Sequence, residues 1–595
     1  MRRSVRFGTS WLDHTGRAQV RRDGAALRPF PGATARFSAQ SLARAALASV
    51  LVLLLLPANV LASREAPTTS DSTYRLKPAR ELVEVTVTMS IRNRKGDKVT
   101  VGPCPNAPSQ RCRITTYYTY GAMGFVAPVA ARKLKFIGSG VKGKAVRNKR
   151  GWVSYKVSFP PIRNGQSKRI KIKYQLPAAG PRSSNTTRVY DAYAHFCWHG
   201  QWTDRGSVTA ILPRGYETFN RHGKVKTKTK KQAVEMRAKR KRNPGGFFAC
   251  TDAFKPAKLV RTESVSPNGQ SVVVEGWPED PAWTETITED IQTTIPALEE
   301  IICLPIAAED VTIRQVAAQA LEGYAGEFQP GSSQIRISER LDDPQLIAHE
   351  LAHGWFHDGT LKELWMIEGL AEWAANNVTG ESCREADGWP GKGKPRLRDW
   401  QTIGADPSDR GVAIVGYQYA AVCGIMAEVE ALVGESRMRS IVRSLLFRWP
   451  KYTGAPSEGR GKADWREFLD AVDEFGLVPA GVEDLKVVEK MLLAEGIANK
   501  KQLKGRAAAR TAYHEARAGA LDGTMPRVVS AAMDDWNWKR ALTGIEIAVD
   551  TMERIEASAE PGTFDSEALA AKSALRAATS LAELRRVRDG LPASP

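Results

Sequence analysis

The stretch AHELAHGWFHDGTLKELWMIEGLAEW, Ala348 to Trp373, constrains this chain more than any other. It holds three of the eight histidines within nine residues, and three acids follow them, Glu363, Glu368 and Glu372. Just upstream, LDDPQLIAHELAHGWF begins as a helix should, with Asp343 able to cap and Pro344 suited to the first helical position. His349 and His353 then lie one turn apart on the same face. Two imidazoles so placed can hold one cation at about 2.0–2.1 Å each. Glu350, beside them, is free to act on water without ligating the metal, which is the HExxH arrangement. The plain alternative is a helix carrying a satisfied surface histidine pair.

A third ligand has two candidates. His357 is eight residues past His349, two turns or about 12 Å along a continuing helix, so it falls at the helix rim, near the cleft or in solvent. The metzincin position, six residues after the second histidine, is Gly359 here. Glu368, fifteen residues after His353, is better placed. The segment LWMIEGLAEWAANN has helical spacing and fits a second helix packed on the first. A carboxylate from it completes a two-histidine, one-glutamate site with an open fourth position, which suits one zinc ion per chain. Glu372, one turn further, can accept a hydrogen bond from a ligand imidazole and fix its orientation, or be an ordinary surface acid. Glu363 precedes the second helix and is expected to be solvated.

The 595 residues allow several domains, and the pattern is that of a multidomain α+β protein. Residues 64–80 are polar and read as a linker. From 81 to 275, short alternating runs such as LVEVTVTMSIRN, RIKIKYQL and GSVTAILP read as antiparallel strands with one buried face, a sandwich or saddle domain. Residues 276–483 turn to mixed helices and strands around the histidine motif, and 484–595 are Ala-rich and helical. The formal charge is +21. Residues 1–62 supply +7 of it, as nine arginines against two aspartates. Within the β region, residues 221–242 carry eleven Lys or Arg among 22 residues, against one Glu. Two readings stay open for them: a patch for an anionic cell-surface polymer, or a solvated hairpin whose charges protect a sheet edge. Aromatics that stack on bases are missing from the run, so no specific nucleic-acid partner is expected.

The long apolar run AALASVLVLLLLPANVLA, residues 45–62, follows a basic segment and ends in a small-residue cleavage pattern. Residues 1–63 therefore read as a signal peptide, or, uncleaved, as a membrane anchor. Either reading places the rest outside the cytoplasm, secreted or at the cell surface, where disulfides are permitted. Order alone suggests Cys104–Cys112, Cys197–Cys250 and Cys383–Cys423, leaving Cys303 free. No CxxC pair, Walker loop, dinucleotide fingerprint or GxSxG elbow carries weight.

HELAHGWF followed by WMIEGLAEW resembles the gluzincin metallopeptidases, and most of all the membrane alanyl aminopeptidase group and its relatives. The resemblance implies a β domain, a thermolysin-like catalytic domain and a helical C-terminal region. It implies that His349, His353 and Glu368 bind zinc and that Glu350 is the catalytic base. It also implies a tyrosine that donates to the oxyanion, and in GYQYAAVCGIMAEVEALVGE both Tyr417 and Tyr419 fit. The group's G-x-M-E-N segment, which holds a substrate's free amine, corresponds to EGYAGEF, residues 322–328. The motif is not matched there, although Tyr324 and Glu327 are available for substrate binding. SQIRISE resembles the edge strand on which gluzincins lay an extended peptide. The expected function is a zinc-dependent peptidase acting on peptide or protein substrates, exo- or endopeptidase unresolved. The alternative is a cell-envelope binding protein with a basic β domain and a structural or inactive metal site.

Overall fold

A computed structural model describes residues 66–592, except 105–106, 150, 221–223, 242–245, 267–268, 270, 307–309, 322–323, 330–332, 342, 384–388, 390–392, 401–408, 448–451, 453–461, 477–481, 522, 524 and 559–565. The signal or anchor segment, 1–63, lies outside the described residues.

Period-2 runs build the first half. A seven-stranded sheet takes the spatial order Lys226–Thr229, Ala233–Lys241, Arg205–Pro213, Thr68–Lys77, Leu82–Arg92, Ser167–Pro177, Arg132–Ile137. Its inward side chains, among them Tyr74, Val85, Ile172 and Val208, share one core with Phe125, Val157, Phe196 and Trp198 of two smaller sheets. The pairings are antiparallel except one: Thr68–Lys77 runs parallel to Arg205–Pro213. That strand lies in the stretch expected to be a linker, 64–80. Its inward positions are Ser70, Ser72, Tyr74 and Leu76, all buried, and two serines hide the alternation from a reading based on apolar residues.

A second correction concerns the boundary near 275. Val260–Val265 and Ser271–Gly276 belong to a separate five-stranded sheet, continued by Asp310–Val316, Gln334–Ser338 and Gly326–Gln329. The strand expected at the edge, in SQIRISE, is paired on both sides, and Gly326–Gln329 is the edge. The helix Pro281–Ile302 places Trp283, Ile287, Ile291 and Ile295 in one core with Val272 and Val274 of this sheet. The helices Pro344–Ala352, Leu364–Thr379 and Asp409–Val433 add to the same core. Arg410–Val433 is long and apolar enough to cross a membrane by composition. Here one face of it packs against the helix Leu364–Thr379: a Cβ on Gly369 would stand 3.0 Å from Met426 Cε and 3.3 Å from Val422 Cβ. Val488 and Leu492, expected with the C-terminal domain, are also in this core, whereas the helices from Arg506 onward form a core of their own.

The cysteines pair as chain order suggests, Cys104–Cys112, Cys197–Cys250 and Cys383–Cys423, with Cys303 free and exposed.

Candidate metal centre

The helix Pro344–Ala352 starts as its sequence dictates: Asp343 accepts from the Gln345 backbone N–H at 3.1 Å, and Pro344 occupies the first turn. His349 and His353 project from it into a buried space. Their Nε2 atoms are 3.2 Å apart. Glu368, on the helix Leu364–Thr379, brings Oε2 to 3.4 Å from His349 Nε2 and 3.8 Å from His353 Nε2. Ligand atoms at 2.0–2.1 Å from a common centre with tetrahedral angles would stand about 3.3–3.4 Å apart. The observed triangle is close to that. Glu368 Oε2 is buried without a hydrogen-bond partner, although it faces two nitrogens. A buried acceptor and two imidazole nitrogens converging on one point fit a cation better than they fit one another.

The far nitrogens explain which atoms are free. His349 Nδ1 is 2.9 Å from Glu372 Oε2, and His353 Nδ1 is 2.9 Å from the Phe356 carbonyl. Each acceptor takes a hydrogen bond from Nδ1–H, so that in the neutral ring Nε2 is the lone pair facing the triangle. Burial pushes the Glu368 carboxyl up, but His349, His353 and Tyr419 together outweigh it and hold it below the usual range. Burial opposes charge on His349 as well, and Glu368 and Glu372 overcome it.

Glu350 lies beside the triangle and is buried. Burial pushes its carboxyl up to about 8; His349 opposes this, while Glu368 and Glu327 add to it. A cation in the triangle would act in the opposite sense and favour the carboxylate. The edge strand Gly326–Gln329 runs directly over this group: a Cβ on Gly326 would overlap Glu350 Cγ and Cδ. Only glycine allows that approach.

The two tyrosines part company. They are two residues apart on one helix, roughly 200° around its axis, so one site cannot receive both. Tyr419 is half-buried, faces Glu368, and sits with its ring 6.3 Å from that of His349. Burial and the neighbouring acids push its phenol well above the usual range, so it stays a proton donor. Tyr417 turns instead to Glu495, 2.5 Å away, with Lys394 over its ring. Tyr417 is therefore removed from the candidate oxyanion donors.

His357 is half-buried, its ring 5.8 Å from Phe328 on the edge strand, and its Nδ1 accepts from the Gly359 N–H. The chain does turn after His353, yet Glu368, not His357, closes the triangle. Glu363 is a correction: rather than solvated, it stands at the start of its helix with Oε2 shielded and unpartnered, and burial beside Asp464 pushes its carboxyl up to about 7. Glu327 is partly exposed on the edge strand and receives Arg336 Nη1 at 3.2 Å. Tyr324, also partly buried, interacts electrostatically with Tyr419.

Residue-by-residue reading missed what stands behind the edge strand. Arg336, 2% exposed, also donates to Asp252 of the β region at 2.9 Å. Asp252 in turn accepts from Tyr193 at 2.6 Å and meets His195 at 3.0 Å. Burial pushes Asp252 up, and His195, Arg336 and Tyr193 outweigh it. Beside this network, Arg188 and Glu339 form a fully buried, two-pronged ion pair at 2.9 and 2.6 Å. No short motif announces contacts 84 and 151 residues apart.

No family model and no curated protein matches the chain. Among solved structures it is similar to the M1 zinc metallopeptidase from Deinococcus radiodurans, at 14% identity over 74% of this chain and 96% of that one, with a TM-score of 0.32. A mutant of the two-domain M1 zinc metallopeptidase bound to L-arginine aligns at 14% identity over 73% and 95%, with a TM-score of 0.30. At such scores the chemistry rests on the residues alone.

Proposed function

We propose that this chain is a zinc-dependent metallopeptidase that hydrolyses peptide bonds. The observation that carries the reading is the buried triangle of His349, His353 and Glu368, with Glu350 beside it under a free strand edge. Zinc supplies Lewis acidity, polarising a carbonyl and making water a nucleophile near neutral pH. Glu372 and the Phe356 carbonyl orient the two imidazoles. Glu350 takes the proton from the attacking water and delivers it to the leaving amine. Tyr419 donates to the negative charge that develops on the carbonyl oxygen. An extended peptide adds to the open edge of Gly326–Gln329, and Glu327 and Tyr324 flank its path. The protein acts outside the cytoplasm, a reading supported by the apolar run 45–62 and three disulfides.

The binding-protein alternative is less favoured, because a structural zinc site has four protein ligands and no base beside it. The test is metal content and peptide hydrolysis on one preparation, with Glu350→Gln alongside and with peptides bearing free and blocked N-termini. One zinc per chain is expected, with turnover reduced about 10²–10⁴-fold in the variant at unchanged zinc content. Turnover by fully active Glu350→Gln would remove this assignment of the base. Zinc without turnover of any peptide would favour the binding protein. Cleavage of blocked peptides would identify an endopeptidase.

A further inference from the structure

The outer face of the seven-stranded sheet has an order that the charge run 221–242 does not reveal. On Ser167–Pro177 the outward side chains include Arg169, Lys171 and Lys173, all exposed. On Ala233–Lys241 they include Arg237 and Lys239, also exposed. Of the nine facing positions on the three strands between these rows, seven are serine or threonine, Ser207 among them largely covered, and the other two are Asp71 and Arg205. Ser90, Thr88 and Thr86 lie opposite Arg169, Lys171 and Lys173. Thr69 and Thr73 stand beside them, and Thr209 and Ser207 come next, opposite Arg237 and Lys239. Neighbouring strands are about 4.8 Å apart, so the two basic rows flank a hydroxyl lane with roughly 19 Å between rows.

Edge protection does not account for this. Both basic rows sit on strands paired on each side, where no edge needs guarding. The arrangement is also unfavourable by itself, since Lys173 lies directly opposite Lys135 and like charges in that position repel. The three acids on the face do not relieve it. Asp71 accepts from Ser207 and makes no ion pair with either row among the described residues, Glu84 pairs with Arg80, and Glu235 pairs with Lys230. Arg169, Lys171 and Lys173 have no ion-pair partner among the described residues.

We propose that this face binds a linear acidic polysaccharide, its acid groups on the two basic rows and its hydroxyls along the lane of serines and threonines. The chemistry separates it from other polyanions. The outward positions of these five strands carry no aromatic side chain, so bases have nothing to stack on. A sheet of this size is twisted, so a flat bilayer would meet only part of it, while a flexible chain can follow it.

The test uses the full chain and labelled polygalacturonate, with a short DNA duplex and phosphatidylglycerol vesicles as comparators, near 0.15 M salt. The variant Arg169→Glu/Lys171→Glu/Lys173→Glu is set against Lys500→Glu/Lys501→Glu/Lys504→Glu, which makes the same charge change on exposed residues elsewhere. Salt-sensitive binding to polygalacturonate is expected, weakened about tenfold or more in the first variant and less than twofold in the second. Peptide hydrolysis, if present, should be unchanged in both. Arg237→Glu/Lys239→Glu, on the other row, should repeat the loss and guards against a folding defect in the first. Equal weakening by both sets, no binding at that salt, or tighter binding to duplex or vesicles than to the glycan would overturn the proposal.

Discussion

The two walls of the candidate metal centre are built in different ways. On the helix side, His349, Glu350, His353, Glu368 and Glu372 all come from 24 consecutive residues, on two helices that pack together. On the strand side, the edge Gly326–Gln329 is held by Arg336, which reaches back to Asp252, and nearby by Arg188 on Glu339. The helix side gathers the candidate ligands through short contacts between near neighbours. The strand side is tied to the first, strand-rich half of the chain through buried charge. A buried ion pair is weak evidence for stability as such, but breaking one strands a charge and is costly. Damage to the helix side should therefore show as lost metal or lost rate, and damage to the strand side as lost stability.

Five variants test that contrast. The largest effect is expected from Arg336→Met, which leaves buried Asp252 without its guanidinium. It should lower unfolding stability by about 3 kcal/mol or more in thermal or urea unfolding, with zinc content at saturating metal unchanged. A variant as stable as the parent would show that the strand side does not depend on this network. Next comes Tyr419→Phe, expected to lower kcat about 10²–10³-fold with normal zinc. Tyr417→Phe is its partner measurement and should stay within about twofold, because that phenol serves Glu495. Equal losses in the two would return both to the list of donors. Gly326→Ala joins the two walls, since the new methyl must displace Glu350. A loss of about 10²-fold in kcat/KM at full zinc occupancy is expected, as misplacing a catalytic group by about 1 Å does elsewhere. The smallest effect belongs to Glu372→Gln: zinc affinity, measured by competition with a chelator, should weaken about 10–100-fold. Unchanged affinity would make Glu372 an ordinary surface acid.

The helix side is legible in the amino-acid sequence because helical spacing is short-range information. Residues four apart share a face, and a proline after an aspartate marks where counting begins. The third ligand follows from the same rule applied to the second helix. The resemblance adds roles, yet it does not separate Tyr417 from Tyr419. That needs the rotation of their helix about its axis, which its packing against Gly369 and its neighbours determines. The strand Thr68–Lys77 reads as a linker because two of its four inward residues are serines, and burial there is imposed by strand neighbours at 82–92 and 205–213.

By itself the sequence determined the strand-rich first half, the HExxH helix, the helix bearing Glu368, the cysteine order and the excess of positive charge. The tertiary structure alone decided which strand is the edge, which tyrosine faces the site, how Arg336 and Arg188 join distant parts of the chain, and how scattered cations align into two rows across one sheet. The physical reason is range. Backbone periodicity and capping act over a turn or a pair of residues, whereas sheet order and buried ion pairs join residues that only the folded chain brings together.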